Sequence, residues 1–123
     1  MMEEHKETLV LGASTHPERY SFKAINMLKA HQHPVLAVGR QAGEVAGVPI
    51  ATAIHPNWHP HTVTLYLNAA NQVPFYEQIL ALKPQRIIFN PGTENMELVQ
   101  LAAAAGIEAL EACTLVLLQT RQF

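Results

Sequence analysis

The chain has 123 residues, of which 49% are hydrophobic and 15% are charged, and its formal net charge is −2. A chain of this length and composition is expected to form one domain, which we place over residues 1–123. The small net charge gives no electrostatic reason to expect nucleic acid or a membrane surface as a partner. No apolar run approaches the ~20 residues of a membrane span.

Two features of residue usage narrow the class of protein. The single cysteine, Cys113, excludes an internal disulfide, and the polar N-terminal segment MMEEHKE is unlike a secretory signal. Together they predict a cytoplasmic protein. Aspartate is absent from the sequence. This absence excludes a receiver domain, which needs an aspartyl phosphoacceptor, and it excludes Mg²⁺ sites and catalytic triads that depend on aspartate.

Apolar, β-prone runs alternate with amphipathic segments along the chain. Helices are predicted where apolar residues recur every three or four positions, as Phe22, Ile25 and Leu28 do. Proline and glycine mark the ends of these segments. The predicted elements are strand 8–11, helix 21–31, strand 35–38, a short β piece around 48–51, strand 62–67, a helix from Pro74 to Pro84, strand 86–89, a helix that begins at Thr93 or Asn95 and stops at Gly106, strand 107–110, and a helix over 113–119 that is favoured over a sixth strand.

This alternation determines the predicted fold class. Strands and helices that alternate at intervals of about 25 residues form βαβ units, and these build a parallel sheet with helices on both faces. The sequence therefore predicts an α/β, Rossmann-like three-layer fold with a parallel five-stranded sheet of order 3-2-1-4-5. In that order the ligand crevice lies between the first and fourth strands. Its walls would be the turns at residues 12–21 and 90–95.

The turn after the first strand has the composition of an anion site. The apolar run stops at Gly12, and the next helix begins near Ser21. A glycine lets the backbone approach a ligand, and free N–H groups at a helix start point at an anion. The turn also carries two hydroxyls and two cations, namely Ser14, Ser21, Arg19 and Lys23. One glycine is not the G-x-G-x-x-G fingerprint, so the turn alone does not identify a dinucleotide site.

The residue after the second strand adds information about the ligand. In dinucleotide-binding folds an acidic residue at this point hydrogen-bonds a ribose hydroxyl, whereas an arginine suits a ribose phosphate. This chain has Arg40 there, and the first acidic residue after it is Glu44. The chemistry therefore favours a ligand with both a ribose phosphate and a pyrophosphate, which describes NADP and coenzyme A. An exposed arginine without a ligand is the alternative.

Several segments in the same order resemble the small CoA-binding domain family. They are GASTHPERYSFK, with the pattern GAS-x-x-P-x-R-x-S, then VGR, NPGTEN and the late Cys113. The family is similar to the N-terminal domain of the succinyl-CoA synthetase alpha subunit, and the resemblance extends from Thr8 to Cys113. It implies a Rossmann-like fold that holds coenzyme A, or an acyl-CoA, across the ends of strands 1, 2 and 4. VGR replaces the usual VNP, and the synthetase's phosphorylated histidine segment has no counterpart, so no ligase activity is implied.

The resemblance also implies a set of cofactor-binding residues. The backbone of the first turn would face the pyrophosphate, Arg19, Ser21 and Lys23 would donate to it, and Arg40 would lie at the adenosine end. We expect Asn68 and the turn that begins at Asn90 to line the rest of the ligand. The full expected set is Gly12, Ala13, Ser14, Pro17, Arg19, Ser21, Lys23, Gly39, Arg40, Asn68, Asn90, Pro91, Gly92 and Thr93.

The remaining candidates are weaker. His55, His59 and His61 suggest a metal site, but prolines between them forbid a regular helix and no cysteine or aspartate lies nearby, so we expect no metal. Cys113 lies in an apolar run and is expected to be structural rather than reactive. Tyr66, Asn68 and Asn71 could contact a ligand or serve only in a turn.

The sequence thus predicts a small cytoplasmic protein that binds CoA or acyl-CoA, with no catalytic residues. An NADP-binding or other nucleotide-binding regulatory protein is the alternative. The expected partner is this small-molecule nucleotide, and the sequence is compatible with a homodimer as well as with a monomer.

Overall fold

Seven strands form one open sheet in the computed structural model, which describes residues 4–123. Residues 1–3 of the polar N-terminal segment lie outside the described part. The sheet order is β3-β4-β2-β1-β5-β6-β7, and only β3 runs antiparallel to its neighbour. The strands are β1 Thr8–Ala13, β2 Val35–Gly39, β3 Gly43–Val45, β4 Val48–Ala51, β5 Thr62–Leu65, β6 Arg86–Phe89 and β7 Glu108–Glu111.

The predicted α/β three-layer fold is confirmed, but the predicted number and order of strands are wrong. All five predicted strands form and are parallel. However, the short piece Val48–Ala51 is a full member of the sheet and pairs in parallel with β2, and β3 pairs with it as an antiparallel edge. Because β4 occupies the place beyond β2, Thr62–Leu65 crosses back and pairs with the other side of β1. The switch point therefore lies between β1 and β5.

Helices cover both faces of the sheet. The helices α1 (Tyr20–Ala30) and α5 (Thr114–Gln119) contribute Ile25 and Leu118 to the core on one face. On the other face, α3 (Tyr76–Leu82) and α4 (Met96–Ala104) contribute Ile79 and Leu98. The predicted helix from Pro74 to Pro84 is instead a 3-10 turn that contains Pro74, followed by a helix, and a separate short helix lies before that turn. The helical segments are α1 Tyr20–Ala30, α2 Ala69–Gln72, the 3-10 turn Val73–Phe75, α3 Tyr76–Leu82, α4 Met96–Ala104 and α5 Thr114–Gln119.

The central strand β1 divides the core in two because successive side chains of a strand point to opposite faces. Leu9 and Leu11 pack in the cluster beneath α3 and α4, whereas Val10 packs in the cluster beneath α1 and α5. All three are at most 1% exposed. Full burial of such side chains stabilises the fold by about 1.5–3 kcal/mol each. The position of the central strand, and so of the turn that follows it, is therefore strongly determined.

At the amino edge of the sheet, where the strands begin, an arginine packs against an aromatic ring. The Nε of Arg86 donates to the Thr62 hydroxyl at 2.8 Å, and the Arg86 guanidinium lies 4.3 Å from the centroid of the Phe123 ring. Arg86 is only 7% exposed. Burial lowers its pKa, and the nearby Glu108 carboxylate partly opposes this effect. This edge is remote from the carboxyl ends of the strands.

Candidate functional site

The candidate site is the crevice at the carboxyl edge of the sheet, between the turn after β1 (residues 13–19) and the turn after β5 (residues 66–68). Parallel strands place their carboxyl ends at one edge, and ligands of open α/β sheets bind at that edge where the winding direction changes. The chain winds from β1 outward to β4 and then returns to β5, so this is the switch point. The prediction that residues 90–95 form the second wall is wrong by one strand, since that turn follows β6.

Gly12 brings the two turns of the crevice into contact. It has a φ of +100°, and a Cβ at this position would lie 2.9 Å from the carbonyl carbon of Tyr66. The backbone N–H of Tyr66 donates to the carbonyl oxygen of Leu11 at 2.8 Å. A residue with a side chain fits neither the conformation nor the space. The glycine is thus required by the approach of the two turns, and its contact with a ligand stays a prediction.

The turn after β2 packs against the turn after β1 in a similar way. A Cβ at Gly39 would collide with the carbonyl oxygen of Ala13, and a Cβ at Gly43 would lie 2.6 Å from Cγ2 of Thr15. These contacts hold Arg40, which lies between the two glycines in sequence, beside the first turn. The structure therefore brings together two of the turns that the sequence assigned to the ligand.

Three cations lie at this edge without a carboxylate partner. Arg19 immediately precedes α1, Lys23 lies in its first turn, and Arg40 follows β2. All three side chains are exposed, and none forms a salt bridge within residues 4–123. The Lys23 ammonium lies 5.2 Å from the centroid of the Tyr20 ring. Unpaired cations of this kind create a positive potential that attracts anionic groups.

The other predicted residues of the first turn differ in accessibility. Ser14 is half-buried, and its hydroxyl accepts a hydrogen bond from the backbone N–H of His16 at 3.1 Å. Pro17 is exposed, whereas Ala13 and Ser21 are 7% and 3% exposed. The Ser21 side chain lies on the inner face of α1, with Ala24 and Ile25. Its expected donation to a pyrophosphate stays a prediction.

Asn90 uses its side-chain amide to join three elements. Its Nδ2 donates to the Thr64 hydroxyl at 2.7 Å and to the Leu65 carbonyl at 2.8 Å. Its Oδ1 accepts a hydrogen bond from the backbone N–H of Thr114 at 2.8 Å. Asn90 is 2% exposed. The side chain therefore organises the site by linking β5, β6 and α5, and a direct contact with a ligand stays a prediction.

The turn after Asn90 closes on itself. The Thr93 hydroxyl donates to the carbonyl oxygen of Asn90 at 2.7 Å, and the N–H of Gly92 donates to a carboxylate oxygen of Glu94 at 2.9 Å. Gly92 has a φ of +92°. Pro91 and Gly92 are exposed, whereas Thr93 is 5% exposed. Pro91 and Gly92 are therefore accessible in this turn, whereas Thr93 is buried and its hydroxyl is bonded to the protein backbone.

Gln72 is a residue that sequence reasoning missed. Its side chain is fully buried, and its Nε2 donates to the Leu67 carbonyl at 2.9 Å and to the Thr93 carbonyl at 2.8 Å. It follows Asn68, whose side chain accepts from the N–H of Asn71 at 2.9 Å and caps α2. A polar residue four positions after a capping asparagine was the available signal, but the pattern does not show what the amide would contact.

The family model described as a CoA binding domain matches residues 6–119. The chain belongs to the CoA-binding domain family. No curated protein matches it in sequence. A crystal structure of an uncharacterized protein is 45% identical, with a TM-score of 0.95 over 98% of this chain and 100% of that one.

Two further solved structures resemble this CoA-binding domain in fold. The cell-free ID.343 protein from Thermus thermophilus is 21% identical, with a TM-score of 0.84 over 97% of this chain and 91% of that one. The dinucleotide-forming acetyl-coenzyme A synthetase 1 of Ca. Korarchaeum cryptofilum, solved with phosphate and ADP, is 15% identical. Its TM-score is 0.72, and the match covers 86% of this chain and 25% of that one. At these identities the likeness concerns the fold.

Tyr66 and Cys113 lie beside the crevice of this CoA-binding domain. Burial raises the pKa of Tyr66 to about 12, an effect that the hydroxyls of Thr64 and Thr114 only partly oppose. Those two hydroxyls are hydrogen-bonded to each other at 2.8 Å, and the Tyr66 hydroxyl is buried without a partner of its own among residues 4–123. Cys113 immediately precedes α5 and is half-buried. Its expected structural role stays a prediction.

The histidines of residues 55–61 make local contacts. The Nδ1 of His55 accepts from the N–H of Asn57 at 3.1 Å, and the Nδ1 of His61 lies 2.7 Å from the Thr62 hydroxyl. Burial lowers the pKa of His61, and Arg86 and Lys6 lower it further. Within the described part of the chain, no three His, Cys, Asp or Glu side chains are placed to hold a metal ion. No helix there is long and apolar enough to cross a membrane.

Proposed function

We propose that this protein binds coenzyme A, or an acyl-CoA, in the crevice between β1 and β5. The observation that carries the proposal is the exposure of three unpaired cations, Arg19, Lys23 and Arg40, around the glycine turns of a CoA-binding domain. Coenzyme A carries a pyrophosphate and a ribose phosphate, and charge-assisted hydrogen bonds to such groups are stronger than neutral ones. The charge at this edge is therefore complementary to that of the ligand.

The residues divide between the two ends of the ligand. In this proposal the backbone of Gly12, Ala13 and Ser14 faces the pyrophosphate, with Arg19 and Lys23 as its cations. Gly39 and Arg40 take the ribose phosphate. Pro17 and Ser21 shape the first turn. The uncharged arm of the ligand then lies along the uncharged residues that follow β5 and β6, which are Asn68, Asn90, Pro91, Gly92 and Thr93.

The proposed role is binding rather than catalysis. Asn90, Gln72 and Asn95 are buried amides of this edge, and the polar atoms of all three form hydrogen bonds with protein groups. A general acid, base or nucleophile would instead need to point a reactive atom at the ligand. A cytoplasmic location remains part of the proposal, because the single cysteine is consistent with a reducing compartment.

Titration of the wild-type protein with four ligands tests this function. We expect coenzyme A to bind more tightly than dephospho-CoA and NAD, because only coenzyme A presents a ribose phosphate together with the pantetheine arm. A native mass spectrum of the purified protein should show a retained mass that corresponds to CoA or an acyl-CoA. If NADP binds more tightly than coenzyme A, the alternative of an NADP-binding regulatory protein is correct, since Arg40 suits either ribose phosphate.

A further inference from the structure

Gln72 occupies an unusual position for a glutamine. It ends the four-residue helix α2, directly after the turn that follows β5, and its side chain has no solvent exposure. A buried amide is costly unless its donors and acceptor are all used. Here Nε2 makes two hydrogen bonds, and Oε1 accepts a third from Nδ2 of Asn95 at 2.8 Å. The amide orientation is therefore determined by its partners.

The two groups that accept from Nε2 belong to different turns. Leu67 is in the turn after β5, next to Asn68, and Thr93 is in the turn after β6. A single nitrogen atom thus sets the distance between the backbones of the two turns. Asn95 is held in turn by two further contacts, since its Nδ2 also donates to the Tyr76 hydroxyl at 2.7 Å and its Oδ1 caps α4 at the N–H of Leu98.

The turns joined by Gln72 differ in charge from those on the other side of the crevice. The turns after β1 and β2 carry Arg19 and Arg40 and meet through backbone contacts at Gly39. The turns after β5 and β6 carry no cation, and their one carboxylate, that of Glu94, accepts a hydrogen bond from the N–H of Gly92. Their other polar groups are amides, hydroxyls and backbone atoms. A ligand with phosphates at one end and a neutral arm at the other is therefore expected to place the neutral arm on the turns that Gln72 joins.

We infer that Gln72 is a positioning residue for the neutral, pantetheine part of the ligand. It does not touch the ligand; it holds the turns after β5 and β6 at the spacing that this part requires. The inference rests on the proposed CoA-binding function. It assigns to Gln72 an effect on one half of the ligand only, which a purely structural role would not produce.

The test compares Gln72→Met with the wild type in calorimetric titrations at a temperature where both proteins are folded. The two probes are coenzyme A and adenosine 3′,5′-bisphosphate, which has the ribose phosphate and the first phosphate of the pyrophosphate but lacks the second phosphate and the pantetheine arm. We expect Gln72→Met to weaken coenzyme A about 10-fold, which corresponds to the loss of about 1.4 kcal/mol. Binding of adenosine 3′,5′-bisphosphate should stay within about twofold of the wild-type value.

Two further variants make the test specific. Asn95→Asp keeps the oxygen that caps α4 but removes the donor to Oε1 of Gln72. It should therefore also weaken the binding of coenzyme A and not that of the bisphosphate. This variant replaces Gln72→Met in the test if Gln72→Met does not fold. Thr62→Val removes the buried hydrogen bond to Arg86 at the opposite edge of the sheet. It should lower stability without changing the affinity for either probe.

The outcomes separate this inference from the proposed function. If Gln72→Met leaves the affinity for coenzyme A unchanged, or weakens both probes equally, Gln72 does not position the neutral arm. If the wild type binds coenzyme A no more tightly than the bisphosphate, the arm makes no contact and the inference fails, while the phosphate half of the proposed function stands. If the wild type binds neither probe, the proposed function is wrong and the inference fails with it.

Discussion

Asn90 and Thr114, which are 24 residues apart, are joined by a 2.8 Å hydrogen bond from the backbone N–H of Thr114 to Oδ1 of Asn90. This bond attaches the start of α5 to the end of β6. The same amide binds Thr64 and Leu65 at the end of β5 through its Nδ2. One buried side chain therefore connects three of the elements that surround the candidate site.

Replacement of Asn90 should strongly destabilise the protein. Asn90→Ala leaves the N–H of Thr114 and the carbonyl of Leu65 without their partner, and each buried unsatisfied group costs about 1–3 kcal/mol. We expect a loss of about 2–4 kcal/mol in the free energy of unfolding, measured by urea denaturation. Asn26→Ala, which removes an exposed 3.1 Å bond to Phe22, is the matched control and should change stability by less than about 0.5 kcal/mol. Equal effects would contradict the role given to Asn90.

Gly39 should tolerate no side chain, for a reason that differs from backbone conformation. A Cβ there would collide with the carbonyl oxygen of Ala13, so Gly39→Ala must displace the turn after β1. We expect a loss of about 3 kcal/mol or more in the free energy of unfolding. Gly47→Ala is the control: Gly47 has a φ of +80° but nothing within 4 Å of an added Cβ. It should cost about 1–2 kcal/mol from strain alone. A smaller cost at Gly39 than at Gly47 would refute the packing argument.

The two arginines at the candidate site should differ in which ligand they recognise. A charge-assisted phosphate contact is worth roughly 1.5–3 kcal/mol, so Arg40→Ala should weaken coenzyme A by about 10- to 100-fold and leave dephospho-CoA nearly unchanged. Arg19→Ala should weaken both ligands alike, because they share the pyrophosphate. Calorimetric titration of both variants with coenzyme A and with dephospho-CoA measures these changes in affinity. If Arg40→Ala lowers the affinity for both ligands by the same factor, Arg40 does not bind the ribose phosphate.

Tyr66 should make the protein's stability depend on pH in the alkaline range. Burial raises the pKa of Tyr66 from 10 in the unfolded chain to about 12 in the folded one, so the folded state holds the proton more tightly. Its contribution to stability is complete below pH 10 and is lost as the pH rises from 10 to 12. The loss amounts to about 2–3 kcal/mol at the upper end.

The comparison that isolates this effect is Tyr66→Phe, with stability measured by denaturant unfolding at pH 8 and pH 11.5. The variant should lack the alkaline loss attributed to Tyr66, so the difference between variant and wild type should change with pH. Tyr20→Phe removes a hydroxyl from a side chain that is 67% exposed, and its difference from wild type should be the same at both values. A constant difference for Tyr66→Phe as well would show that Tyr66 has an ordinary pKa.

The sequence by itself determined the fold class and most of the elements. Hydrophobic runs bounded by glycine and proline are local features, so β1, β2, β6 and the final helix α5 could be predicted within one or two residues. The sequence also predicts an anion site at the first turn, because Gly12, Arg19 and Lys23 lie within twelve residues of each other, and this stays a prediction. The family resemblance, confirmed by the match over residues 6–119, follows from the same local motifs.

Only the tertiary structure decided the strand order. Val48–Ala51 is four residues long and contains Pro49, and proline is rare inside a central strand. Its own sequence therefore does not indicate that it belongs to the main sheet. Its pairing with β2 depends on residues far away in the chain, and this pairing places Thr62–Leu65 on the other side of β1. The crevice lies between β1 and β5 because of this strand order.

The same reason explains why the side-chain links of the candidate site could not be predicted. Asn90 binds Thr64 and Thr114, and Gln72 binds Thr93, at separations of 21 to 26 residues. A sequence shows which groups can donate and accept, but not which of them share a buried space. Sequence patterns therefore indicate neither the links that Asn90 makes nor those that Gln72 makes, because the partners of both amides come near only when the strands assemble.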